Sequence, residues 1–174
     1  MTEQPSAHES GGSAGSWQLR RATERDLDAI MDIERSTFVT DAWSVDTMRS
    51  ELTGPHGYYL VAVPVDGTDR VDGYGGLLAP RGAGEGDIQT IAVVPGARRH
   101  GLGRALMLAL IGEARHRGAT EVFLEVRADN PGAQTLYRTL GFEEIGVRPH
   151  YYQPDGVDAI VMRLSVPTPE TTIA

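Results

Sequence analysis

Apolar residues recur along this chain with two alternating periods, and each change of period marks a new element. Trp17 and Leu19 alternate with polar neighbours and predict a short strand to Arg21. Thr23-Glu24-Arg25-Asp26 has the form of a capping box, in which side chains satisfy the first free amides of a helix. Leu27, Ile30, Met31 and Glu34 then follow helical spacing to about Arg35. Ser44 can cap a second short helix carrying Val45, Met48 and Leu52, and Gly54-Pro55 ends it. Tyr58 to Val63 reads as a strand, Asp66-Gly67 as a turn, and Val71 to Leu78 as another strand. Gly82 to Gly86 is a glycine-rich turn before a strand from Asp87 to Val94, which Pro95 stops.

Beyond Pro95 a loop runs to Gly101, and a helix begins around Leu102 with Leu106, Ala109, Leu110 and Ala114 on its buried face. Gly118 suits its left-handed C-terminal cap. Glu121 to Val126 is a strand. Asn130 can cap a further helix with Pro131 at its first position, and Gly141 ends it. Phe142 to Arg148 and Ala159 to Leu164 read as two last strands around the turn Pro154-Asp155-Gly156. The pattern predicts one α/β (α+β) domain, with a mixed, mostly antiparallel sheet flanked by helices. The strands before and after the helix at Leu102 should be parallel, because a crossover helix joins them.

Composition narrows the picture. Residues 1–16 are rich in Ser, Gly, Glu and Ala and hold too little apolar surface to offset ordering entropy, so a disordered tail is expected there. Residues 166–174, with two prolines and three threonines, read as a flexible C-terminal tail. The domain is expected over residues 17–165. No apolar run approaches the ~20 residues of a membrane span, and the start lacks a signal-peptide pattern. There are no cysteines, which excludes disulfides and thiolate metal sites and fits a reducing cytoplasm. His100 and His150 are too isolated for a metal site, and none is expected. The formal charge of −8 opposes direct nucleic-acid binding and leaves room for a basic protein partner.

The most informative stretch is Ile91-Ala92-Val93, followed by Val94-Pro95 and the loop Arg98-Arg99-His100-Gly101-Leu102-Gly103-Arg104. Here a strand enters a glycine-containing loop that opens a helix. Free amides and the helix dipole favour an anion at such a start, and glycines let it approach the backbone. Arg98, Arg99 and Arg104 add positive charge. The stretch has neither the Gly-Lys-Ser/Thr of an ATPase loop nor the glycine spacing of a dinucleotide site. An ordinary strand-to-helix turn is the plain alternative.

Arg98-x-x-Gly101-x-Gly103 after a hydrophobic strand resembles the signature of the GNAT family of N-acetyltransferases. The resemblance spans about Trp17 to Leu164. It implies a GNAT-like domain whose parallel strand pair splays at the cofactor site. It also implies acetyl-CoA as co-substrate, with its pyrophosphate on the loop amides, its pantetheine arm along the backbone of Ile91 to Val93, and a contact from Asn130. Leu124-Glu125-Val126-Arg127-Ala128-Asp129-Asn130, Leu136-Tyr137-Arg138-Thr139-Leu140-Gly141-Phe142 and Arg148-Pro149-His150-Tyr151-Tyr152 are similar to the RimI-type bacterial branch. That branch acetylates the N-terminal alanine of a ribosomal protein. The partner implied is a protein or peptide N-terminus.

Amine attack on a thioester needs proton removal from the nucleophile and a proton for the leaving sulfur. Glu125, near the end of an apolar strand, can serve as base or simply pair with Arg127 or another cation, and the resemblance implies that it is the base. Tyr137 can be amphipathic core, and the resemblance implies that it is the acid. Trp43, Tyr151 and Tyr152 can line a peptide groove or pack the strand edges. An α-amine with pKa near ~8 is about one-tenth neutral at pH 7, against roughly one lysine in a few thousand, so one carboxylate suffices more readily for an N-terminus. A lysine or small-molecule acetyltransferase and a non-catalytic acetyl-CoA-binding module are the competing readings. Retention of both Glu125 and Tyr137 argues against the last.

Overall fold

The capping box forms as its residues require: the Thr23 amide donates to Asp26 Oδ2 at 2.9 Å, and Arg20 clasps the same carboxylate at 2.8 Å. Those contacts lead into helix α1 (Leu27–Thr37). Ser44 likewise accepts from the Thr47 amide and opens α2 (Val45–Thr53). The computed structural model describes residues 17–167. The tail expected at residues 1–16 lies outside that span. Two more helices follow, α3 (Leu102–His116) and α4 (Pro131–Thr139).

The strands are β1 (Trp17–Arg21), β2 (Gly57–Pro64), β3 (Gly73–Leu78), β4 (Glu85–Val93), β5 (Glu121–Arg127), β6 (Glu143–Tyr152) and β7 (Val157–Ser165). They form one seven-stranded sheet in the order β1-β2-β3-β4-β5-β7-β6. Every neighbouring pair is antiparallel except β4 with β5, as the crossover through α3 requires. The sheet has an apolar core on each face. One packs Leu102, Leu106 and Leu110 of α3 against Leu77, Val122 and Leu124. The other packs Ile30 and Met31 of α1 and Met48 of α2 against Val61 and Tyr74.

Two irregularities prepare a site. β4 and β5 pair only from Glu85↔Glu121 to Ile88↔Leu124, then run on to Val93 and Arg127 without pairing each other. Against β3, the register steps from Gly76↔Thr90 to Leu77↔Ile88 and leaves Gln89 as a bulge. The extra residue reverses the alternation. Ile88 packs in the α3 core, while Ala92 packs in the α1 core, and Tyr59 donates to Gln89 Oε1 at 2.7 Å.

Some expected boundaries move. Val71 and Asp72 precede β3 rather than belonging to it, and β6 and β7 are longer than their apolar runs because ladder pairing carries them into polar residues. Val166 is not part of a loose tail: it is buried, and its amide donates to Thr120 O at 2.8 Å. An apolar side chain one residue past a strand end can still close the core. Residues 168–174 lie outside the described span.

Candidate active site

The diverging ends of β4 and β5 open a cleft of about 1180 Å³ beside α3 and α4. One end is built by the loop. Gly101 caps α3 at φ 78°, a left-handed conformation that glycine adopts without strain. The first amides of α3 have no partner within the helix and lie along the cleft at Leu102, Gly103 and Arg104. A side chain at Gly103 would meet protein only at Leu136 Cδ2, 3.6 Å from its Cβ. Protein packing therefore does not require that glycine, while a group lying on the helix start would.

Arg98, Arg99 and Arg104 line this end, and Arg98 Nε donates to Val93 O at 3.0 Å. Ile91, Ala92 and Val93 line it from β4. Asn130 also lines it, and its side chain accepts from the Ala133 amide at 3.1 Å, so the expected cap forms. His100 is the exception among the loop residues. It is absent from the cleft walls, and its ring sits 5.9 Å from that of Trp17.

The middle of the cleft holds Glu125 and Tyr137. Glu125 leans toward α1 and α2, because its strand neighbours Leu124 and Val126 occupy the α3 core. Its ion pair is with Arg148, Nε to Oε1 at 3.2 Å, and not with Arg127. Arg127 instead meets Asp41, Asp129 and Asp155. Alternation along β5 sends both side chains to one face, and tertiary partners then separate them. Tyr137 is buried against Phe142, and its hydroxyl bonds to no other protein group among the described residues. Burial pushes its phenol up to about 12, which keeps the proton in place at neutral pH.

The far end is framed by Trp43, Tyr151 and Tyr152, all on the cleft wall. The two tyrosine rings meet edge to face with centroids 5.1 Å apart. Hydrogen bonding to Glu125, then burial, raises the Tyr151 phenol. The Arg127 guanidinium lies 5.1 Å from the Tyr152 ring centroid. Thr40 donates to Asp155 Oδ2 at 2.8 Å, and through Asp155 and Arg127 the loop after α1 meets the turn after β6.

Glu34 also lines the cleft and was not foreseen as a site residue. It is 1% exposed, and burial raises its carboxyl to about 7. A carboxylate on the apolar stripe of Leu27, Ile30 and Met31 was the available sign. The cleft is polarised as a whole. Arg98, Arg99 and Arg104 stand at the loop end, while Glu34, Asp41 and Glu125 stand toward the other, with Arg127 among them paired to Asp41.

Residues 27–142 match the acetyltransferase (GNAT) family model. The N-alpha-acetyltransferase RimI of Mycobacterium tuberculosis is 37% identical over 144 residues, covering 81% of this chain and 87% of that protein. An uncharacterized protein of Mycobacterium leprae is 38% identical over 144 residues, which are 81% of this chain but only 38% of the relative's length. The crystal structure of the ribosomal-protein alanine N-acetyltransferase of Escherichia coli matches with a TM-score of 0.75 and 31% identity, covering 91% of this chain and 99% of that one. Among the described residues no helix is long and apolar enough to cross a membrane.

Proposed function

This chain belongs to the acetyltransferase (GNAT) family and is an acetyl-CoA-dependent N-acetyltransferase, and from that premise we propose that its acceptor is a protein N-terminus, an N-terminal alanine of a ribosomal protein. The polarity of the cleft carries this reading. Arg98, Arg99, Arg104 and the free amides of α3 suit the phosphates of acetyl-CoA, and the carboxylates opposite suit an incoming ammonium. When bound, acetyl-CoA supplies the activated acetyl group. The edge of Ile91 to Val93 that faces away from β3 suits its pantetheine arm, because β5 does not pair with β4 beyond Ile88. Asn130 lines the same cleft and would contact that arm.

Glu125 is assigned as the base. It accepts the amine's proton, directly or through water, as nitrogen bonds the acetyl carbon. Tyr137 is assigned as the acid. Its raised pKa keeps it protonated, so that it can donate to the sulfur as the carbon–sulfur bond breaks. Trp43, Tyr151 and Tyr152 are assigned to the first residues of the peptide, with phenols that can bond its backbone beside a small side chain. The M. tuberculosis relative and the E. coli structure support this acceptor by what their names say of them.

The test compares a peptide bearing a free N-terminal alanine with the same peptide blocked at its N-terminus and carrying an internal lysine. Thiol release from acetyl-CoA gives the rate, and mass spectrometry locates the acetyl group. The free N-terminus should react faster by at least about tenfold, since deprotonating an α-amine costs roughly 3 kcal/mol less than lysine. Acetyl found mainly on lysine, or free alanine used as well as the peptide, rules this acceptor out.

A further inference from the structure

Glu34 has a place in the cleft that neither the acid nor the base explains. Its side chain leaves α1 on the buried stripe and is almost fully enclosed. Three donors, from two strands and the segment between α1 and α2, converge on it. The Tyr74 hydroxyl of β3 and the Thr90 hydroxyl of β4 reach Oε2, and the Trp43 amide donates to Oε1 at 3.1 Å. No cation is among the groups that act on it, and the charge that does is the like-signed Asp41. A buried carboxylate without a cation is costly, and an apolar side chain in this stripe would fill the space at less expense. The arrangement therefore serves something other than core stability.

Its partners identify what it joins. Trp43 lies in the segment between α1 and α2, whose Phe38, Asp41 and Trp43 form one wall of the cleft. Thr90 follows the Gln89 bulge and precedes Ile91, on the part of β4 that β5 leaves unpaired. The bulge turns Thr90 to the α1 face, where Glu34 can reach it. One carboxylate thus spans the acceptor-side wall and the strand along which acetyl-CoA would lie.

We propose that Glu34 is a positioning residue that ties the acceptor-side wall at Trp43 to the floor formed by Tyr74 and Thr90, and so sets how the acceptor amine meets the acetyl group. The proposal rests on the acceptor reading above for which substrate occupies that wall. It assigns Glu34 no contact with the reacting atoms. Its removal should damage use of the acceptor and leave acetyl-CoA binding nearly unchanged, because the loop and α3 lie at the other end of the cleft and pairing with β3 holds Ile91 to Val93 without Glu34.

The full chain is compared with Glu34→Asp, Glu34→Gln and Glu34→Leu. Three quantities are read: hydrogen exchange of the Trp43 amide by NMR, acetyl-CoA affinity by calorimetry, and KM and kcat for a peptide with N-terminal alanine. Aspartate is one methylene too short to hold the Trp43 amide. Its amide exchange and peptide KM should each rise about tenfold, the equivalent of one lost hydrogen bond, with acetyl-CoA affinity changed by less than about twofold. Glutamine keeps an oxygen for Trp43 and an N–H for Tyr74, and should return both to within about threefold of the parent. Leucine should behave like aspartate or worse, and if it fails to fold the other two variants decide. Unchanged Trp43 exchange in the aspartate variant overturns the proposal, as does acetyl-CoA affinity falling in step with peptide use. If the parent leaves the alanine peptide untouched, the acceptor reading fails separately, and the tie is judged on Trp43 exchange and acetyl-CoA affinity.

Discussion

Arg148 reaches across β7 to Glu125, placing its Nε 3.2 Å from the carboxylate Oε1 that the acceptor amine is proposed to use. Arg148 is on β6 and 59% exposed, so a cation in solvent shares the carboxylate with any ammonium entering the cleft. Exposed pairs of this kind contribute roughly 0.2–1 kcal/mol. Arg148→Ala is accordingly expected to lower the peptide KM about two- to fivefold, with little change in kcat. Steady-state kinetics on the alanine peptide check this. A higher KM in the variant would make Arg148 a contact for the acceptor instead of its competitor.

Base and acid should separate by pH. Glu125→Gln removes the proton acceptor and should slow turnover most near and below neutral pH, where most acceptor amines are still protonated, by about a hundredfold. Tyr137→Phe should cost less, because a thiolate with an ordinary pKa of about 8.5 leaves tolerably without full protonation. Both variants should bind acetyl-CoA as the parent does. Rate profiles from pH 6 to 9 decide the matter, and parental turnover by the glutamine variant at every pH would make Glu125 structural.

Stability and cofactor affinity should move in opposite directions at Gly103. The position is helical and has space for a side chain, with a Cβ 3.6 Å from Leu136 Cδ2. Gly103→Ala should hold or raise the Tm, since glycine in a helix costs up to about 1 kcal/mol relative to alanine. Gly103→Leu should weaken acetyl-CoA at least tenfold by filling the approach to the helix amides, a loss of about 1.4 kcal/mol or more. Thermal melts and calorimetric titration of the same samples measure the two effects. Parental affinity in a folded leucine variant would remove the loop from the cofactor site.

Glu34 should leave a mark on stability as a function of pH. Burial raises its carboxyl from the ordinary 4.5 to about 7 in the folded chain. The fold therefore binds this proton more tightly than the unfolded chain does. The stabilisation is fully present below pH 4.5 and is lost as pH rises through about 7. At about 1.4 kcal/mol per pH unit the loss is roughly 3 kcal/mol. Urea denaturation across that range should show it in the parent, and Glu34→Gln should flatten this component. Equal pH dependence in both proteins would mean that Glu34 does not titrate in the window.

The features that the sequence determined alone are those whose physics is local. Thr23 with Asp26, Ser44 with Thr47, and Asn130 with Ala133 satisfy helix-start amides within three residues, so the residue types declare the contact. The loop from Arg98 to Gly103 is legible for the same reason: a strand, a left-handed glycine and a helix start are consecutive. Glu125, Tyr137, Tyr151 and Tyr152 line the cleft, since inward positions on strands and helices repeat with fixed periods, whereas His100 turns to Trp17. Tertiary structure alone decided which charges meet. Glu125 and Arg127 lie two residues apart and share a strand face, yet Arg148 takes one, and distant Asp41 and Asp155 join the local Asp129 on the other. It also turned Glu34 from a helix-face position into part of the cleft, through partners 40 and 56 residues away. The Gln89 bulge is of the same kind, since a bulge exists only against the register of a partner strand. Backbone periodicity is encoded residue by residue. Pairing across a sheet depends on loop closure and packing between distant segments, and a single strand of text carries no measure of either.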